Sequence, residues 1–147
     1  MQQIQIFNLF PAPFLKKRTH LKQFISFQLK RYGRTKHQLN IIFCDDEYLL
    51  GMNNTHLNHD YYTDIITFDL TDVQDPTYLK GELYISVERV IDNAKDSHNT
   101  PYSELLRVVF HGILHLLGYK DKQARDIKQM REQEDEWLSH YKEQLAD

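Results

Sequence analysis

The stretch that most constrains the fold of this chain is "TPYSELLRVVFHGILHLLG", residues 100–118, which predicts one long helix. Thr100 is a favoured N-cap residue, Pro101 suits the first helical position, and Gly118 suits the C-terminal stop. The residues between them are apolar around most of the helix surface, and a helix with that pattern is normally buried. We therefore expect residues 100–118 to lie in the core.

The flanking segments predict an α+β fold. Alternating or β-rich runs predict strands at 3–7, 38–44, 64–70 and 81–87. Apolar residues at helical spacing predict helices at 14–32, 45–54, from about 88, and 123–144, in addition to the central one. The order β-α-β-α-β-β-α-α-α favours a single domain over residues 1–147, with helices covering a small mixed four-stranded sheet.

Two histidines in the central helix predict a metal site. His111 and His115 are four residues apart, so their side chains lie on one helix face. Gly118 permits a sharp turn that can bring Asp121 to the same ion. The spacing H-x-x-x-H-x-x-G-x-x-D repeats that of the extended zinc-protease motif, apart from the third ligand type. We therefore predict one Zn²⁺ bound by His111, His115 and Asp121, with one coordination position left for water.

Two alternatives to this metal site stay open at the sequence level. Histidines in a buried helix are often hydrogen-bonded core residues, and Asp121 also suits the N-cap of the last helix. If Asp121 does bind the ion, its negative charge leaves less positive charge on the metal than a third imidazole would. Water at the ion would then be acidified less than in an all-histidine site.

Gly112 decides which chemistry this site favours. It stands where a zinc protease carries the glutamate that accepts a proton from water. Peptide hydrolysis would lack that acceptor, whereas phosphodiester cleavage can use a substrate phosphate or a carboxylate from elsewhere. The sequence thus favours phosphodiester chemistry and leaves the proton acceptor unassigned.

The charge of the chain is unevenly distributed. Residues 1–44 contain eight Lys and Arg and no Asp or Glu, whereas the remainder contains ten basic and 21 acidic residues. A basic segment on a mildly acidic protein suggests a polyanionic partner, because the electrostatic potential is set locally. The alternative is a solvated helix face that binds nothing.

The expected compartment is the cytoplasm. Cys44 is the single cysteine, so no intramolecular disulfide can form, which fits a reducing environment. No apolar run approaches the roughly 18 residues of a membrane span, and the N-terminus lacks a signal-peptide pattern.

The segment "HGILHLLGYKD" (111–121) resembles the signature H-G-x-L-H-L-x-G-Y-D-H of the YbeY endoribonucleases, the rRNA maturation factors. Three further blocks resemble that family in the same order: "TDIITFDL" (63–70), "KGELYIS" (80–86) and "MREQEDEWL" (130–138). The resemblance implies a zinc-dependent, single-strand-specific endoribonuclease acting in 16S rRNA 3′-end maturation and late ribosome quality control. His111 and His115 match the first two zinc ligands, and Asp121 stands where the family usually has histidine.

The resemblance also makes RNA the expected partner of the basic segment. The predicted RNA contacts are Lys16, Lys17, Arg18, Lys22, Lys30 and Arg31. Candidates for base stacking, with core packing as the alternative, are Tyr61, Tyr62, Phe68 and Tyr84. Leu57 departs from the family, which usually has at this place an arginine thought to contact RNA or support catalysis. His56 and His59 lie beside Leu57 and could supply charge or hydrogen bonds.

Three hypotheses therefore compete. The leading one is a zinc-dependent endoribonuclease acting on ribosomal RNA. The second is a ribosome-associated RNA-binding factor in which the metal is mainly structural. The third is another metal-dependent hydrolase on the same scaffold, against which Gly112 argues. None of them involves DNA or a membrane.

Overall fold

The computed structural model describes residues 2–57, 63–72 and 74–146, with side chains except at 56, 57 and 146. Its elements in chain order are β1 (Gln2–Asn8), α1 (Arg18–Arg31), β2 (Lys36–Cys44), α2 (Asp46–Leu57), β3 (Ile65–Asp69), β4 (Tyr78–Ser86), α3 (Val87–Asp96), α4 (Pro101–Leu116) and α5 (Ala124–Ala146). This is the predicted order, and the predicted α+β class is confirmed.

The four strands form one mixed sheet in the order β1-β2-β4-β3. β2 pairs in parallel with both β1 and β4, whereas β3 and β4 pair antiparallel. Parallel neighbours need a crossover connection, which α1 supplies between β1 and β2. β3 lies at an edge of the sheet and packs beside α4, so this edge adjoins the helix that carries the two histidines.

Two hydrophobic clusters hold the helices to the sheet. The larger one joins α1, α3, α4 and α5 to strands β2 and β4. Its aromatic centre is formed by Phe24, Phe110 and Trp137, whose ring centroids lie 5.4 to 6.2 Å apart. The smaller one contains Cys44 and Ile66 and receives α2. Alternate residues of a strand point to opposite faces, so β2 contributes to both clusters.

Two predicted boundaries are wrong. α1 begins at Arg18 and not at Phe14, because residues 12–15 form a hydrogen-bonded turn and Lys17 has a left-handed φ of 53°. β4 begins three residues earlier than predicted and ends at Ser86, since the Ser86 side chain caps α3. A turn thus interrupts the apolar pattern before α1, whereas β4 begins early because Tyr78 already pairs with Lys36 of β2.

The start of α4 follows the prediction. The Thr100 side chain accepts a hydrogen bond of 3.1 Å from the Ser103 N–H, and Pro101 occupies the first turn. Its apolar residues are buried in the larger cluster, as expected. Within the described residues, no helix is long and apolar enough to cross a membrane.

Candidate metal centre

The end of α4 brings two histidines and an aspartate to one point. His111 and His115 lie on one face of the helix, one turn apart. Gly118 adopts φ 105°, a conformation that side chains rarely tolerate, and ends the helix in a Schellman turn with two backbone hydrogen bonds of 3.0 Å. The chain then doubles back and places Asp121 opposite both imidazoles.

The spacing of the three ligand atoms matches a tetrahedral zinc site. Asp121 Oδ2 lies 3.3 Å from His111 Nε2 and 3.2 Å from His115 Nε2. Zinc bonds of about 2.0–2.1 Å in a tetrahedron separate the ligand atoms by roughly 3.3–3.4 Å. All three atoms lie within 4.8 Å of one another. The geometry therefore brings together the three residues predicted as ligands, at a separation that one ion can bridge.

Each imidazole has a hydrogen-bond partner on the nitrogen that faces away from Asp121. His115 Nδ1 lies 2.9 Å from the Tyr119 carbonyl oxygen, which can only accept, so Nδ1 carries the proton. His111 Nδ1 lies 2.6 Å from Glu134 Oε2. An ionised carboxylate can also only accept, so Nδ1 of His111 is the donor. With Nδ1 as the donor in each ring, Nε2 is the atom that faces Asp121 and that a metal ion would bind, the arrangement found around metal-ligating histidines.

Glu134 is buried, with 4% of its surface exposed, and belongs to an ionic network. Arg107 donates to Glu134 Oε1 at 2.8 Å and to Asp135 at 2.7 Å. Burial raises the pKa of Glu134, but hydrogen bonds from His111 and Arg107 outweigh it and hold that pKa below its usual range. Glu134 is therefore an ionised partner for His111.

The pKa of His111 is raised, whereas that of its partner Glu134 is lowered. Burial lowers the pKa of His111, but the hydrogen bond and charge of Glu134, together with the charges of Asp121 and Asp64, raise it above its ordinary value. Three carboxylates thus favour positive charge at this point, which a proton or a metal cation can supply. This electrostatic environment fits the predicted ion.

Glu134 has a role that the sequence analysis did not assign. It belongs to the block "MREQEDEWL", and it follows the buried Met130 by four residues and precedes the buried Trp137 by three. It therefore lies on the apolar face of the last helix. A carboxylate on that face must be paired, and this periodicity was the signal that could have identified it.

Asp64 is a further carboxylate beside the centre. It lies just before β3 and, with His111 and Asp121, lines two cavities of about 590 and 670 Å³. Burial raises its pKa, and its Oδ2 accepts a hydrogen bond of 3.4 Å from Asn93. The candidate centre therefore lies where two clefts meet, one between α3 and α5 and the other along the edge strand β3.

Gly112 faces the sheet. A Cβ at this position would lie 2.6 Å from Ile65 Cδ1 and 2.9 Å from Leu83 Cδ2, well inside contact distance. The position after His111 has no space for a glutamate side chain, and it does not face Asp121. Close packing of helix against sheet thus accounts for the missing protease base.

Asp121 is not the N-cap of the last helix, which was the alternative to its role as a ligand. α5 begins at Ala124, three residues later. The side chain of Asp121 instead lies beside the two imidazoles.

Two basic residues of α1 line a groove apart from this centre. Lys30 and Arg31 line a separate groove of about 620 Å³ with Phe27 and Gln2, and this groove shares no residue with the two clefts. Arg18 donates to the Asn8 side chain at 3.1 Å. Of the six predicted RNA contacts, Lys30 and Arg31 therefore lie on a groove separate from the two clefts.

The aromatic candidates for base stacking divide into two groups. Phe68 and Tyr84 pack on the smaller hydrophobic cluster, with ring centroids 5.8 Å apart. Tyr61, Tyr62 and His59 lie outside the described residues, and the side chains of His56 and Leu57 are not described. Core packing is therefore what the structure shows for Phe68 and Tyr84.

Comparison with known proteins identifies the family. A family model described as Endoribonuclease YbeY matches residues 14–142. The chain belongs to the YbeY endoribonuclease family. An endoribonuclease YbeY of Cytophaga hutchinsonii is 46% identical over 125 residues, which cover 85% of this chain and 86% of that protein. One of Flavobacterium johnsoniae is 50% identical over 104 residues, which cover 71% of this chain and 73% of that protein.

A solved structure supports the fold assignment. The solution structure of a Thermotoga maritima protein superposes with a TM-score of 0.67 and 28% sequence identity, covering 98% of this chain and 92% of that one. The match to the YbeY family model includes the whole candidate centre, from Asp64 on the sheet edge to Glu134 on α5. The centre and its buried partner are thus part of the YbeY-like portion of the chain.

Proposed function

We propose that this chain is a metal-dependent endoribonuclease that hydrolyses phosphodiester bonds in single-stranded RNA. The observation that supports it best is the convergence of His111, His115 and Asp121 at the junction of two open clefts. A strand lying through both clefts passes the centre and continues on either side, as cleavage within a chain requires. The printed names of the relatives, endoribonuclease YbeY, support the same activity.

In this proposal each residue of the centre has a distinct task. His111, His115 and Asp121 hold one Zn²⁺, while Glu134 and the Tyr119 carbonyl orient the two imidazoles. A bound zinc ion supplies Lewis-acid polarisation of a phosphoryl oxygen. Asp64, which lines both clefts, is our candidate for the group that accepts a proton from the attacking water, the role for which Gly112 leaves no side chain.

We also propose a specific cellular role for this activity. We infer that the protein acts on the 16S rRNA precursor, in 3′-end maturation and in late ribosome quality control. We place this action in the cytoplasm and propose that residues 1–147 work as one YbeY-like domain. The resemblance of residues 63–70, 80–86 and 111–121 to the family's blocks supports this setting.

The basic surface of α1 is the proposed source of affinity for RNA. Lys16, Lys17, Lys30 and Arg31 are exposed, and no acidic residue occurs before Asp45. Lys and Arg bind phosphates without reading sequence, and their contribution weakens as salt concentration rises. This surface would hold the ribosomal RNA while the clefts position the bond that is cut.

Metal content and RNA cleavage test the proposal together. We expect wild-type protein to bind about one zinc ion per chain and to cut a labelled single-stranded fragment of the 16S rRNA 3′ region. His115→Ala and Asp121→Ala each remove a ligand, so we expect both to lose the metal and to cut at least about a hundredfold more slowly, since even outer partners typically cost 10–100-fold. Glu132→Ala, an exposed change on α5, serves as the control.

The outcomes separate the competing hypotheses. Equal cleavage by wild type and His115→Ala would refute the nuclease assignment and favour the RNA-binding factor with a structural metal. Unchanged zinc content in Asp121→Ala would refute the ligand assignment. Metal-dependent turnover of a peptide would favour the other-hydrolase hypothesis.

A further inference from the structure

The cleft between α3 and α5 extends from the metal centre along the surface of α4. Its volume of about 590 Å³ lies within the roughly 300–1,000 Å³ range of small-molecule sites. Val108, Ile127 and Met130 provide apolar surface, and Ser97 and Asn99 stand at its rim beside His98, whose left-handed φ of 56° turns the chain there. The cleft thus combines one apolar patch with polar and charged side chains, which suits a flat, partly polar ligand.

In the described part of the chain, Glu104 is one of two buried carboxylates that line this cleft, and the other, Glu134, is paired with His111 and Arg107. Glu104 lies on α4, only 9% of its surface is exposed, and it lines the cleft. Within the described residues, its carboxylate makes no hydrogen bond or ion pair, although Arg107 is one helical turn away. A buried carboxylate without a hydrogen-bond donor is costly, so this side chain has two oxygen acceptors available for a ligand.

The charges of the cleft argue against a phosphate at this position. Away from the metal centre, the cleft is lined by the carboxylates of Asp96 and Glu104 and by the guanidinium groups of Arg107 and Arg131. Arg107 already donates to Glu134 and Asp135, and Arg131 lies 3.5 Å from Glu134. Carboxylates repel phosphate but accept hydrogen bonds from the amino groups of nucleobases. The interior of the cleft therefore suits a base.

The distance along α4 suits a nucleotide next to the scissile bond. Glu104 and His111 are seven residues apart on the same helix, and both line the cleft. Seven residues of α-helix span about 10 Å. A nucleotide whose phosphate lies at the metal centre can thus extend its base along α4 toward Glu104.

We propose that this cleft is a nucleobase subsite in which Glu104 selects bases that carry an amino group. The base lies on Val108, Ile127 and Met130, and its amino group donates to the Glu104 carboxylate. In the orientation that points the C4 substituent of the base at Glu104, uracil presents a carbonyl where cytosine presents an amino group, so it places an acceptor against this acceptor and binds less well than cytosine. Burial is the largest influence on the pKa of Glu104 and raises it above its usual value, as expected for a carboxylate without a donor. The proposal rests on the endoribonuclease function and specifies the sequence preference of the same site.

Free nucleosides test the subsite without requiring cleavage. Cytidine and uridine differ at the position in question and carry no phosphate. In titrations of metal-free protein followed by NMR, we expect cytidine to bind about tenfold more tightly than uridine. Glu104→Gln, which offers both a donor and an acceptor, and Glu104→Ala should bring the ratio close to one. Glu132→Gln makes the same charge change on the exposed surface of α5 and should keep the wild-type ratio.

Cleavage mapping provides the second measurement. With zinc added, a uridine-rich strand containing one cytidine should be cut at a fixed distance from that cytidine by wild type and at scattered positions by Glu104→Gln. Equal binding of the two nucleosides, or a cytidine preference that survives in both Glu104 variants, would overturn the subsite. Absence of cleavage by wild type would refute the proposed function, while the titration would still decide the subsite. Thermal unfolding shows whether each variant is folded. If Glu104→Ala does not fold, the test of the subsite depends on Glu104→Gln, which has nearly the same shape as the wild-type side chain.

Discussion

Glu134 shows how one buried carboxylate can be paired within the core and also orient a candidate metal ligand. An ionised group with 4% of its surface exposed would be strongly destabilising if it were unpaired. Here His111 donates to one oxygen and Arg107 to the other, at 2.6 and 2.8 Å. The same bond that satisfies Glu134 holds the His111 ring with Nε2 toward Asp121. Orientation of the ligand is thus a consequence of satisfying a buried charge.

The first prediction concerns this bond. In Glu134→Gln the side chain keeps its shape but loses its negative charge, so His111 becomes a less basic ligand. We expect zinc affinity to fall by roughly 10–100-fold, the usual effect of removing an outer partner of a metal ligand. Competition with a chromophoric chelator measures it.

Asp135→Asn is the matched control for Glu134→Gln. Asp135 is exposed and pairs with the same Arg107, but it makes no bond to His111. We expect its zinc affinity to stay within about twofold of wild type, because exposed ion pairs contribute little. If both variants lost affinity equally, the effect would belong to the Arg107 network and not to the orientation of His111.

At the scale of elements, the distance between α4 and the sheet is set by Gly112. A Cβ there would lie 2.6 Å from Ile65 Cδ1 and 2.9 Å from Leu83 Cδ2, atoms of the strands below. A side chain at this position would have to displace these two methyl groups, so glycine favours the close approach of the helix to β3 and β4. That approach carries His111 and Asp64 to the same cleft. Glycine lowers helix propensity here, and close packing compensates for it.

The second prediction compares two glycines in helices. Gly112→Ala should lower the free energy of unfolding by about 1–3 kcal/mol through overpacking, partly offset by the higher helix propensity of alanine. Gly51→Ala in α2, where a Cβ meets nothing within 4 Å, should raise it by about 0.5–1 kcal/mol. Urea denaturation measures both changes. A stabilised Gly112→Ala variant would show that the strands move aside without cost, contrary to the packing argument.

At the scale of the whole molecule, the pH dependence of stability reflects the buried His37. It bridges α1 and β2, with Nε2 3.1 Å from Ser26 Oγ and Nδ1 2.9 Å from the Arg34 carbonyl oxygen. Burial lowers its pKa from 6.5, and the charge of Lys30 adds to this, while the carbonyl opposes it. A lowered pKa means that the unfolded chain binds this proton more readily than the folded one. The stability contribution of His37 is therefore present above pH 6.5 and lost as the pH falls toward the folded-state pKa.

The third prediction is that, without His37, the free energy of unfolding decreases less as the pH falls below about 6.5. The free energy of unfolding of metal-free wild type should carry a His37 component that falls as the pH drops below about 6.5. His111 has the opposite sign, since its raised pKa adds stability that is lost as the pH rises through its folded value. The comparison is therefore made between wild type and His37→Gln, by urea denaturation across a pH series with chelator present.

His20→Gln, a change at an exposed histidine of α1, controls for loss of an imidazole in general. We expect its stability to follow the wild-type pH profile. If His37→Gln also followed that profile, the burial of a neutral His37 would not be a source of the pH dependence.

The local signals in the sequence predicted much of the fold. Alternation and helical periodicity located the strands and helices in the right order, because binary patterns report directly on which side of an element is buried. The boundaries at Phe14 and residue 81 were wrong, because a turn before α1 and the pairing of Tyr78 with Lys36 of β2 depend on backbone geometry that apolar patterns do not encode. Thr100 and Gly118 were predicted correctly, since caps of this kind carry their own residue preferences.

The sequence by itself determined the elements and the possible ligands, His111, His115 and Asp121, because four-residue helical spacing and a glycine turn are local. Only the tertiary structure decided what surrounds those ligands. Glu134 reaches His111 from another helix, Asp64 comes from the edge of the sheet, and two basic residues of α1 line a different groove. These neighbours are separated along the chain and meet only through packing. Their electrostatic effects depend on distance and burial, which sequence spacing does not fix.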